Sequence, residues 1–359
     1  MAMNRYAVIM AGGAGVRLWP LSRRHRPKQV LRLFGGTSLL RQSFERVSAV
    51  IPPQRIHVIT NHRHIPLVTK ELPEVPPGNL IGEPVGRDTA NAVGLSAAVL
   101  VKRDPQAVMG IFTADHIISP LDRFCAAVEK AYQAAEDHPQ SLVTIGIRPV
   151  RADTNYGYLH RGERMGSGVY RVTKFTEKPT VAKAMKYLAS NEYLWNSGMF
   201  AWRVDTILNE LKTHLPQSSE AVTKIADAWQ TDERSSMLES LYPELMKISI
   251  DFSVMERSSH VLMVEMDCHW VDVGSWPALE TVLSADRDGN LSTSERVVHL
   301  GSRGNIVVVE EKHLIATVGV EDLVIVHAPD VTLVCKKRDA ASIKELVDNV
   351  RAKYGEEYS

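Results

Sequence analysis

Residues 6–20 read YAVIMAGGAGVRLWP, and this stretch joins an apolar run to a glycine-rich loop. The run from Tyr6 to Ala11 is nearly all apolar, which predicts a strand that is buried on both faces of a sheet. Similar runs recur at Arg55–Thr60, Val108–Thr113 and Leu142–Ile147, with segments of helical spacing between them. Alternating buried strands and helices are typical of α/β folds, so we expect a Rossmann-like domain with a mixed, mostly parallel central sheet.

The chain changes character near Asp286–Ser292, after which short apolar runs recur at a spacing of about nine residues. This spacing predicts a small β-solenoid-like segment, and the apolar positions within Ala340–Tyr354 predict a terminal helix. We therefore divide the chain into an α/β domain, residues 1–285, and a short-strand β domain with a terminal helix, residues 286–359. The second domain carries no catalytic constellation, so we expect it to serve assembly, and we expect a homodimer.

The charge balance excludes one class of partner. The 359 residues include 42 Lys and Arg and 42 Asp and Glu, whereas nucleic-acid binding depends on a basic excess. The sequence shows neither a signal peptide nor the roughly 20 apolar residues of a membrane span. Cys125, Cys268 and Cys335 are far apart, which predicts free thiols in a reducing compartment. We expect a cytoplasmic protein with no nucleic-acid or membrane partner.

The loop after the first strand indicates a phosphate-binding site. Gly12–Gly15 contains three glycines in four positions, which lets backbone N–H groups surround a phosphate. Arg17 and Lys28 add positive charge close by. A dinucleotide fingerprint is excluded because Leu18 stands where its third glycine belongs, and a Walker A loop is excluded because Gly-Lys-Ser/Thr is absent. A plain tight turn is the alternative, and the added cations favour phosphate binding over it.

Two aspartates follow predicted strands and suggest a metal site. Asp115 follows Val108–Thr113, and Asp272 lies a few residues after Val261–Met266. Two carboxylates beside a phosphate suit Mg²⁺, which prefers a few oxygen ligands. For either residue alone, a turn or cap role is the alternative. His116 is expected to form hydrogen bonds rather than to bind metal.

A Glu-Lys pair after the strand Val169–Phe175 suits a sugar phosphate. The carboxylate of Glu177 suits sugar hydroxyls, and the ammonium of Lys178 suits a phosphate. Strand alternation predicts that the two side chains point in different directions. Asn196 could offer its amide to hydroxyls, and Gly157 its backbone groups. For the Glu-Lys pair alone, a surface ion pair is the alternative.

Together these motifs resemble the sugar-nucleotide pyrophosphorylases, also called nucleotidyltransferases, and among them most closely the mannose-1-phosphate guanylyltransferases. The resemblance spans about residues 6–280 and rests on motifs in the family's order. These are Gly12–Arg23 with Pro27-Lys28-Gln29, Glu83-Pro84 with Arg87–Ala90, Ala114-Asp115-His116, Phe175–Pro179, Asn196–Phe200 and Val271–Trp276. The Trp-Pro-Leu-Ser-Arg extension points to the mannose branch.

The chain departs from the family pattern at two places. Val16 stands where the family usually has threonine. Residues Arg87–Ala92 read Arg-Asp-Thr-Ala-Asn-Ala, where the family usually reads Arg-Asn-Thr-Ala-Pro-Ala, and this change lies near the expected base pocket. The long members of the family carry a second, cupin-type isomerase domain, and this chain ends before one, so no isomerase activity is expected.

The resemblance implies transfer of GMP from GTP to mannose 1-phosphate, giving GDP-mannose and pyrophosphate, with Mg²⁺ as cofactor. Glu83 suits guanine because the N1–H and amino groups of that base are donors. The implied site residues are Arg17 and Lys28 for catalysis; Ala11, Gly12, Gly13, Gly15, Glu83, Arg87 and Thr89 for the nucleotide; Gly157, Glu177, Lys178 and Asn196 for the sugar; and Asp115 and Asp272 for the metal. Alternatives are a sister enzyme of other base or sugar preference, a non-catalytic sugar-nucleotide-binding relative, and a scaffold built on the C-terminal β segment.

Overall fold

The structure, a computed structural model, describes residues 4–13, 15–33 and 36–359. The strands are β1 Arg5–Met10, β2 Ile56–Asn61, β3 Leu80–Glu83, β4 Val108–Thr113, β5 His116–Ser119, β6 Leu142–Ile147, β7 Tyr158–Gly166, β8 Val169–Thr176, β9 Tyr193–Arg203, β10 Val261–Met266, β11 His269–Asp272, β12 Leu291–Ser292, β13 Val297–Leu300, β14 Ile306–Val309, β15 Ile315–Val318, β16 Leu323–His327 and β17 Thr332–Lys336.

The helices are α1 Leu39–Ser48, α2 Ile65–Glu71, α3 Asp88–Arg103, α4 Leu121–Asp137, α5 Val181–Ser190, α6 Val204–His214, α7 Pro216–Asp227, α8 Arg234–Leu241 and α9 Ile343–Tyr354. Asp251–Met255 adds a single π-helical turn. Among the described residues, none of the helices is both long enough and apolar enough to cross a membrane.

The central sheet has nine strands in the order β3-β2-β1-β4-β9-β6-β10-β8-β7. The pairs β1–β2, β1–β4, β2–β3 and β6–β10 are parallel, whereas β9 runs antiparallel to both β4 and β6. Strands β7 and β8 pair in antiparallel fashion. This topology confirms the expected mixed, mostly parallel sheet. The apolar runs did not indicate β9, which separates β4 from β6.

The chain forms two compact units. Unit 1 comprises Met1–Gly12, Phe44–Thr113 and Ile118–His269, and unit 2 comprises Gly13–Ser43, Ala114–Ile117 and Trp270–Ser359. This grouping follows packing, whereas the division at residue 285 follows the order of the sequence and stays a prediction about domains.

Unit 1 contains the central sheet, and helices bury its apolar strands. Helix α4 packs on β4, β6, β9 and β10, while α3 packs against α6 and α7. Val8, Ile111 and Trp202 belong to one continuous core, which removes apolar surface from water. The packed sheet presents polar residues near strand ends, including Glu83 at the end of β3 and Glu177 just after β8.

Unit 2 contains the expected solenoid-like strands. Strand β13 is parallel to β15 and β14 is parallel to β16, and in both pairs the facing residues are eighteen positions apart in sequence. Each turn of the solenoid-like segment therefore contains two strands, which explains why the apolar runs recur about every nine residues in the sequence. Buried Asn290 accepts hydrogen bonds from the backbone and side-chain nitrogens of Asn305, whose own Oδ1 accepts from the backbone nitrogen of Leu323. These bonds satisfy backbone groups at the turns.

Trp19, within the motif Gly12–Arg23, also contributes to the core of unit 2. Trp19 is 5% exposed and packs in one cluster with Trp276, Val326 and Val347. Its indole nitrogen donates to the carbonyl oxygen of Tyr358 at 2.6 Å, and Trp276 donates to the carbonyl oxygen of Trp19 at 3.0 Å. The Trp-Pro part of the motif is therefore structural, because it anchors the segment that follows the glycine-rich loop.

Candidate active site

Unit 2 holds residues 13–15 of the glycine-rich loop and the two predicted cations, Arg17 and Lys28. Gly13 and Gly15 have φ values of 100° and 59°, a region that favours glycine. The backbone nitrogen of Leu18 donates to the carbonyl oxygen of Gly15 at 2.8 Å and closes a short turn on which Arg17 is exposed. Ala14, the remaining member of the loop, lies outside the described residues.

Lys28 and Asp115 form a partly buried ion pair in unit 2. Burial opposes the charge on Lys28, but the carboxylates of Asp115 and Asp272 outweigh it and raise the pKa of the ammonium. Burial also opposes the charge on Asp115, but Lys28 and His116 outweigh it and lower the pKa of the carboxyl. Both groups are therefore charged at neutral pH, and a positive charge lies directly beside the two predicted metal ligands.

The two aspartates come together as the sequence predicts. Asp115, His116 and Asp272 each offer a ligand atom, and these atoms lie within 4.8 Å of one another. Asp272 is the last residue of β11, and the backbone nitrogen of Val273 donates to the carbonyl oxygen of Asp115 at 3.0 Å. Nδ1 of His116 accepts from the indole nitrogen of Trp270 at 3.2 Å, as expected for a hydrogen-bonding histidine.

This donor set fits Mg²⁺. The ion prefers carboxylate oxygens and retains several waters, so two half-buried aspartates suffice for its protein ligands. The ring nitrogen of His116 that faces Asp115 is 3.8 Å from Oδ1 of that residue. Metals that favour nitrogen could use this atom, whereas Mg²⁺ has no need of it.

Gly15→Ala should destabilise the protein more than Gly301→Ala. A Cβ on Gly15 would lie 2.6 Å from Cβ of Lys28 and 2.7 Å from Oγ of Ser22. Gly301 has the same φ of 59° but no heavy atom within 4 Å, so it controls for the backbone cost alone. We expect the extra crowding to cost about 1–3 kcal/mol, measured by urea unfolding. Equal losses would show that the Gly15 turn tolerates displacement of Lys28.

Unit 1 holds the residues predicted to bind the nucleobase. Glu83 is 6% exposed, and Tyr242 donates its hydroxyl to Oε1 of Glu83 at 2.6 Å. The backbone N–H of Arg87 also donates to this carboxyl. A Cβ on Gly12 would lie 3.8 Å from Oε2 of Glu83, so the loop after β1 passes close to the carboxyl. Burial raises the pKa of Glu83 to about 7, although both hydrogen bonds oppose the rise.

The departure from the family pattern at Asn91 has a structural explanation. Nδ2 of Asn91 donates to the carbonyl oxygens of Arg87 and Met246 at 2.9 and 2.8 Å. The hydroxyl of Thr89 accepts from the backbone nitrogen of Ile250 at 2.9 Å. The start of α3 is thereby fastened to the segment that precedes Asp251, so Thr89 serves the fold as well as any ligand.

The predicted sugar residues meet in unit 1. Glu177 and Lys178 form an ion pair of 2.9 Å between Oε1 and Nζ. The prediction that they point in different directions is wrong, because β8 ends at Thr176 and Lys178 has a φ of 45°, so strand alternation no longer applies. A Cβ on Gly157 would collide with Oε2 of Glu177 and lie 3.3 Å from Cβ of Asn196. Glycine is therefore required at position 157, because the carboxylate of Glu177 approaches its backbone closely.

Asp251 completes the same cluster. Nδ2 of Asn196 donates to Oδ1 of Asp251 at 2.8 Å, and Oδ1 of Asn196 accepts from the hydroxyl of Thr144 at 2.9 Å. These bonds fix the orientation of the Asn196 amide. Burial and the like charge of Glu177 raise the pKa of Asp251. The cluster therefore combines three acidic or amide side chains with one lysine, a set that suits hydroxyl groups next to a phosphate.

Sequence reasoning missed Tyr242 and Asp251. Both lie in or just after the helical insertion between β9 and β10, outside any recognisable motif. A lone aspartate between Ile250 and Phe252 was the available signal, since a charge within an apolar stretch needs a partner. Tyr242 contacts a residue 159 positions away, which no local pattern encodes.

Comparison with known proteins places the chain in a family. A model described as nucleotidyl transferase matches residues 6–289, which is most of the chain. The chain belongs to the nucleotidyl transferase family. A second model, described as a MannoseP isomerase/GMP-like beta-helix domain, matches residues 295–350 of this nucleotidyl transferase. These matches confirm the resemblance seen in the sequence and the solenoid-like character of the C-terminal segment.

Individual relatives of this nucleotidyl transferase share one description. The mannose-1-phosphate guanylyltransferase of Klebsiella pneumoniae is 38% identical over 360 residues, covering 98% of this chain and 75% of the relative. The protein of the same name from Escherichia coli is 38% identical over 357 residues with the same coverage. A crystal structure described as mannose-1-phosphate geranyltransferase from Thermus thermophilus has 36% identity and a TM-score of 0.88, covering 97% of this chain and 100% of that one. This likeness confirms the predicted fold class.

Proposed function

We propose that the protein transfers GMP from GTP to mannose 1-phosphate, giving GDP-mannose and pyrophosphate. The ion pair of Lys28 with Asp115, close to Asp272, is the observation that carries the proposal, because it gathers the charges that phosphate chemistry requires. Relatives named mannose-1-phosphate guanylyltransferase, matched over 98% of the chain, support this choice of substrates.

The reaction needs charge neutralisation more than acid–base chemistry. A phosphate oxygen of mannose 1-phosphate is already anionic, so it attacks the α-phosphorus of GTP without losing a proton. The new P–O bond forms as the bond between the α- and β-phosphates breaks, and pyrophosphate leaves with the electron pair. The barrier arises largely from repulsion between polyanions, so preorganised cations and positioning supply the catalysis.

Residues of unit 2 match the phosphate part of this reaction. Backbone N–H groups of the glycine-rich loop suit the triphosphate, and Arg17 and Lys28 suit the α-phosphate and the departing pyrophosphate. Asp115 and Asp272 would hold Mg²⁺, which supplies further positive charge to phosphate oxygens when it is bound. Lys28 must then exchange its contact with Asp115 for one with a phosphate oxygen.

Residues of unit 1 match the recognition part. Ala11, Gly12, Glu83, Arg87 and Thr89 suit the nucleoside, with the Glu83 carboxylate accepting from guanine. Gly157, Glu177 and Asn196 suit the mannose hydroxyls, and Lys178 suits the sugar phosphate. Asp251 acts by orienting the amide of Asn196.

Pyrophosphate release with a substrate panel tests the proposal. The enzyme is incubated with GTP, ATP, UTP or dTTP, each with mannose 1-phosphate or glucose 1-phosphate, with and without Mg²⁺. We expect the highest kcat/KM with GTP and mannose 1-phosphate, and we expect activity to require the metal. A preference for another pair would indicate a sister enzyme, and no turnover with any pair would indicate a non-catalytic relative.

Glu177→Ala should impair the use of mannose 1-phosphate more than that of GTP. Losing one charged hydrogen-bond partner costs about 2–3 kcal/mol, so we expect KM for mannose 1-phosphate to rise about 30- to 150-fold. Steady-state kinetics with each substrate varied in turn measure the effect. Glu192→Ala removes an exposed carboxylate of the same unit and serves as the control. An unchanged KM and rate would remove Glu177 from the sugar site.

The expected homodimer is part of the proposal and is supported by an exposed apolar face. Val298, Leu300 and Val318 on the β13–β15 sheet are 57%, 67% and 69% exposed. Light scattering should give about twice the chain mass of 39.9 kDa, and a value at the chain mass would contradict the dimer.

The free thiols of Cys125, Cys268 and Cys335 support a cytoplasmic location.

A further inference from the structure

The hydroxyl of Tyr242 contacts the acid that is assigned to the nucleobase. Tyr242 is fully buried, and its hydroxyl donates to Oε1 of Glu83. A buried tyrosine hydroxyl needs a hydrogen-bond partner, and a carboxylate is a strong one. Because Glu83 is also the acid assigned to the nucleobase, this hydrogen bond bears directly on the ligand site.

The segment that carries Tyr242 is held in place independently of this contact. The carbonyl oxygen of Met246 accepts from Asn91, and the backbone nitrogen of Ala90 donates to the carbonyl oxygen of Ile248 at 3.2 Å. Tyr242 therefore approaches Glu83 from a fixed position.

Among the residues that the structure describes, few groups act on the Glu83 carboxyl. The backbone N–H of Arg87 donates to it, and the negative charge of Asp88 acts on it from the start of α3. From the turn after β2, Nδ1 of His62 lies 3.3 Å from the backbone carbonyl oxygen of Glu83. Tyr242 thus occupies Oε1, while Oε2 lies toward Gly12 of the same unit.

The protonation state of this carboxyl decides which base it can pair with. An ionised carboxylate accepts from the N1–H and the amino group of guanine. A protonated carboxyl can donate to N1 of adenine, which is an acceptor. Burial brings the pKa of Glu83 to about 7, so both forms lie within reach near neutral pH, and a donor on the carboxyl favours the ionised form.

We propose that Tyr242 is a positioning residue that sets the preference for guanine over adenine, because its hydroxyl holds Oε1 of Glu83 and keeps the carboxyl an acceptor toward the base. This proposal rests on the proposed guanylyl transfer and on the place of Glu83 in the base site. Tyr242 acts through Glu83 and does not itself need to touch the nucleotide.

The test compares Tyr242→Phe with wild type as the pH is varied. We measure kcat/KM with GTP and with ATP, each with mannose 1-phosphate, from pH 6 to pH 9, and express discrimination as the ratio of the two. Tyr132→Phe is the matched control, since Tyr132 is also fully buried and donates its hydroxyl to the carbonyl oxygen of Tyr6 at 2.7 Å. Melting temperatures of both variants confirm that they are folded.

We expect discrimination to fall as the pH is lowered, because the carboxyl becomes protonated. In Tyr242→Phe the lost donor raises the pKa of Glu83, so the fall should begin at a higher pH than in wild type. A shift of one pKa unit corresponds to about tenfold, so near pH 7 the GTP preference should drop on the order of tenfold. Tyr132→Phe should match wild type.

The outcomes separate this proposal from the proposed function. Absence of GMP transfer in wild type would contradict the function itself. Normal transfer with the same ratio and pH profile in Tyr242→Phe, or an equal shift in Tyr132→Phe, would overturn the role of Tyr242 alone. If Tyr242→Phe does not fold, Glu83→Gln provides the test, because it should abolish the pH dependence of discrimination. Persistence of that dependence would overturn the proposal.

Discussion

Lys28→Ala should reduce kcat by about 10²–10³-fold, the usual effect of losing one preorganised electrostatic contact in a transition state. Lys28 is partly buried and held between Asp115 and the glycine-rich loop, so no solvent cation can take its place in a fixed position. The substitution also removes the lysine partner of Asp115, so burial is less opposed and the pKa of that carboxyl should rise. Initial rates of GDP-mannose formation at saturating GTP and mannose 1-phosphate measure the effect.

A matched variant separates charge from packing at this position. Lys28→Met keeps most of the side-chain volume without the charge, so it should lose as much activity as Lys28→Ala while retaining more stability. Lys28→Arg keeps the charge in a different shape and should recover part of the rate. A rate in Lys28→Met within a few-fold of wild type would show that the ammonium takes no part in the chemistry.

Asp115→Asn and Asp272→Asn should each lower kcat/KM by at least about 10²-fold, because each removes a charged ligand from the proposed metal site. The asparagines keep the size of the side chains, so the loss reports on charge. Part of the activity should return at high Mg²⁺ concentration, since weakened binding is overcome by mass action. Rates measured against Mg²⁺ concentration reveal this shift.

Asp267→Asn is the control for these variants. Asp267 is exposed, lies between β10 and β11, and is not part of the Asp115–His116–Asp272 cluster. Its substitution should leave the Mg²⁺ dependence unchanged. If Asp115→Asn and Asp272→Asn keep the wild-type dependence on Mg²⁺, these two carboxylates do not hold the ion.

Strands that are buried on both faces could be predicted from sequence. The runs predicted at 108–113, 142–147 and 261–266 coincide with β4, β6 and β10, because nearly all of their residues are apolar. Strand β9 was missed since Asn196, Ser197 and Gly198 interrupt its apolar pattern, and Gly198 has a φ of 69°. The interruption has a function in the structure, because Asn196 bonds to Asp251 there.

The kinds of site residue could also be predicted, but their pairings could not. Motifs identified Lys28 and Asp115 separately, and the two are 87 positions apart in the chain. Whether Lys28 faces Asp115 depends on how the segment after the glycine-rich loop packs against the residues between β4 and β5. Tyr242 and Asp251 depend on the helical insertion, whose course no periodicity specifies. Tertiary packing therefore decides these contacts.

In the proposed site, Asp115 and Asp272 would hold the metal, and Lys28 beside them would contact the phosphates of the sugar nucleotide. A crystal structure with GDP-mannose and Mn²⁺ tests it most directly, because anomalous scattering locates the ion without reference to the refined side chains. We expect an anomalous peak at the carboxylate oxygens of Asp115 and Asp272, with the pyrophosphate group of GDP-mannose beside it. Density for GDP-mannose away from Lys28, or an ion bound elsewhere with both aspartates unligated, would contradict it.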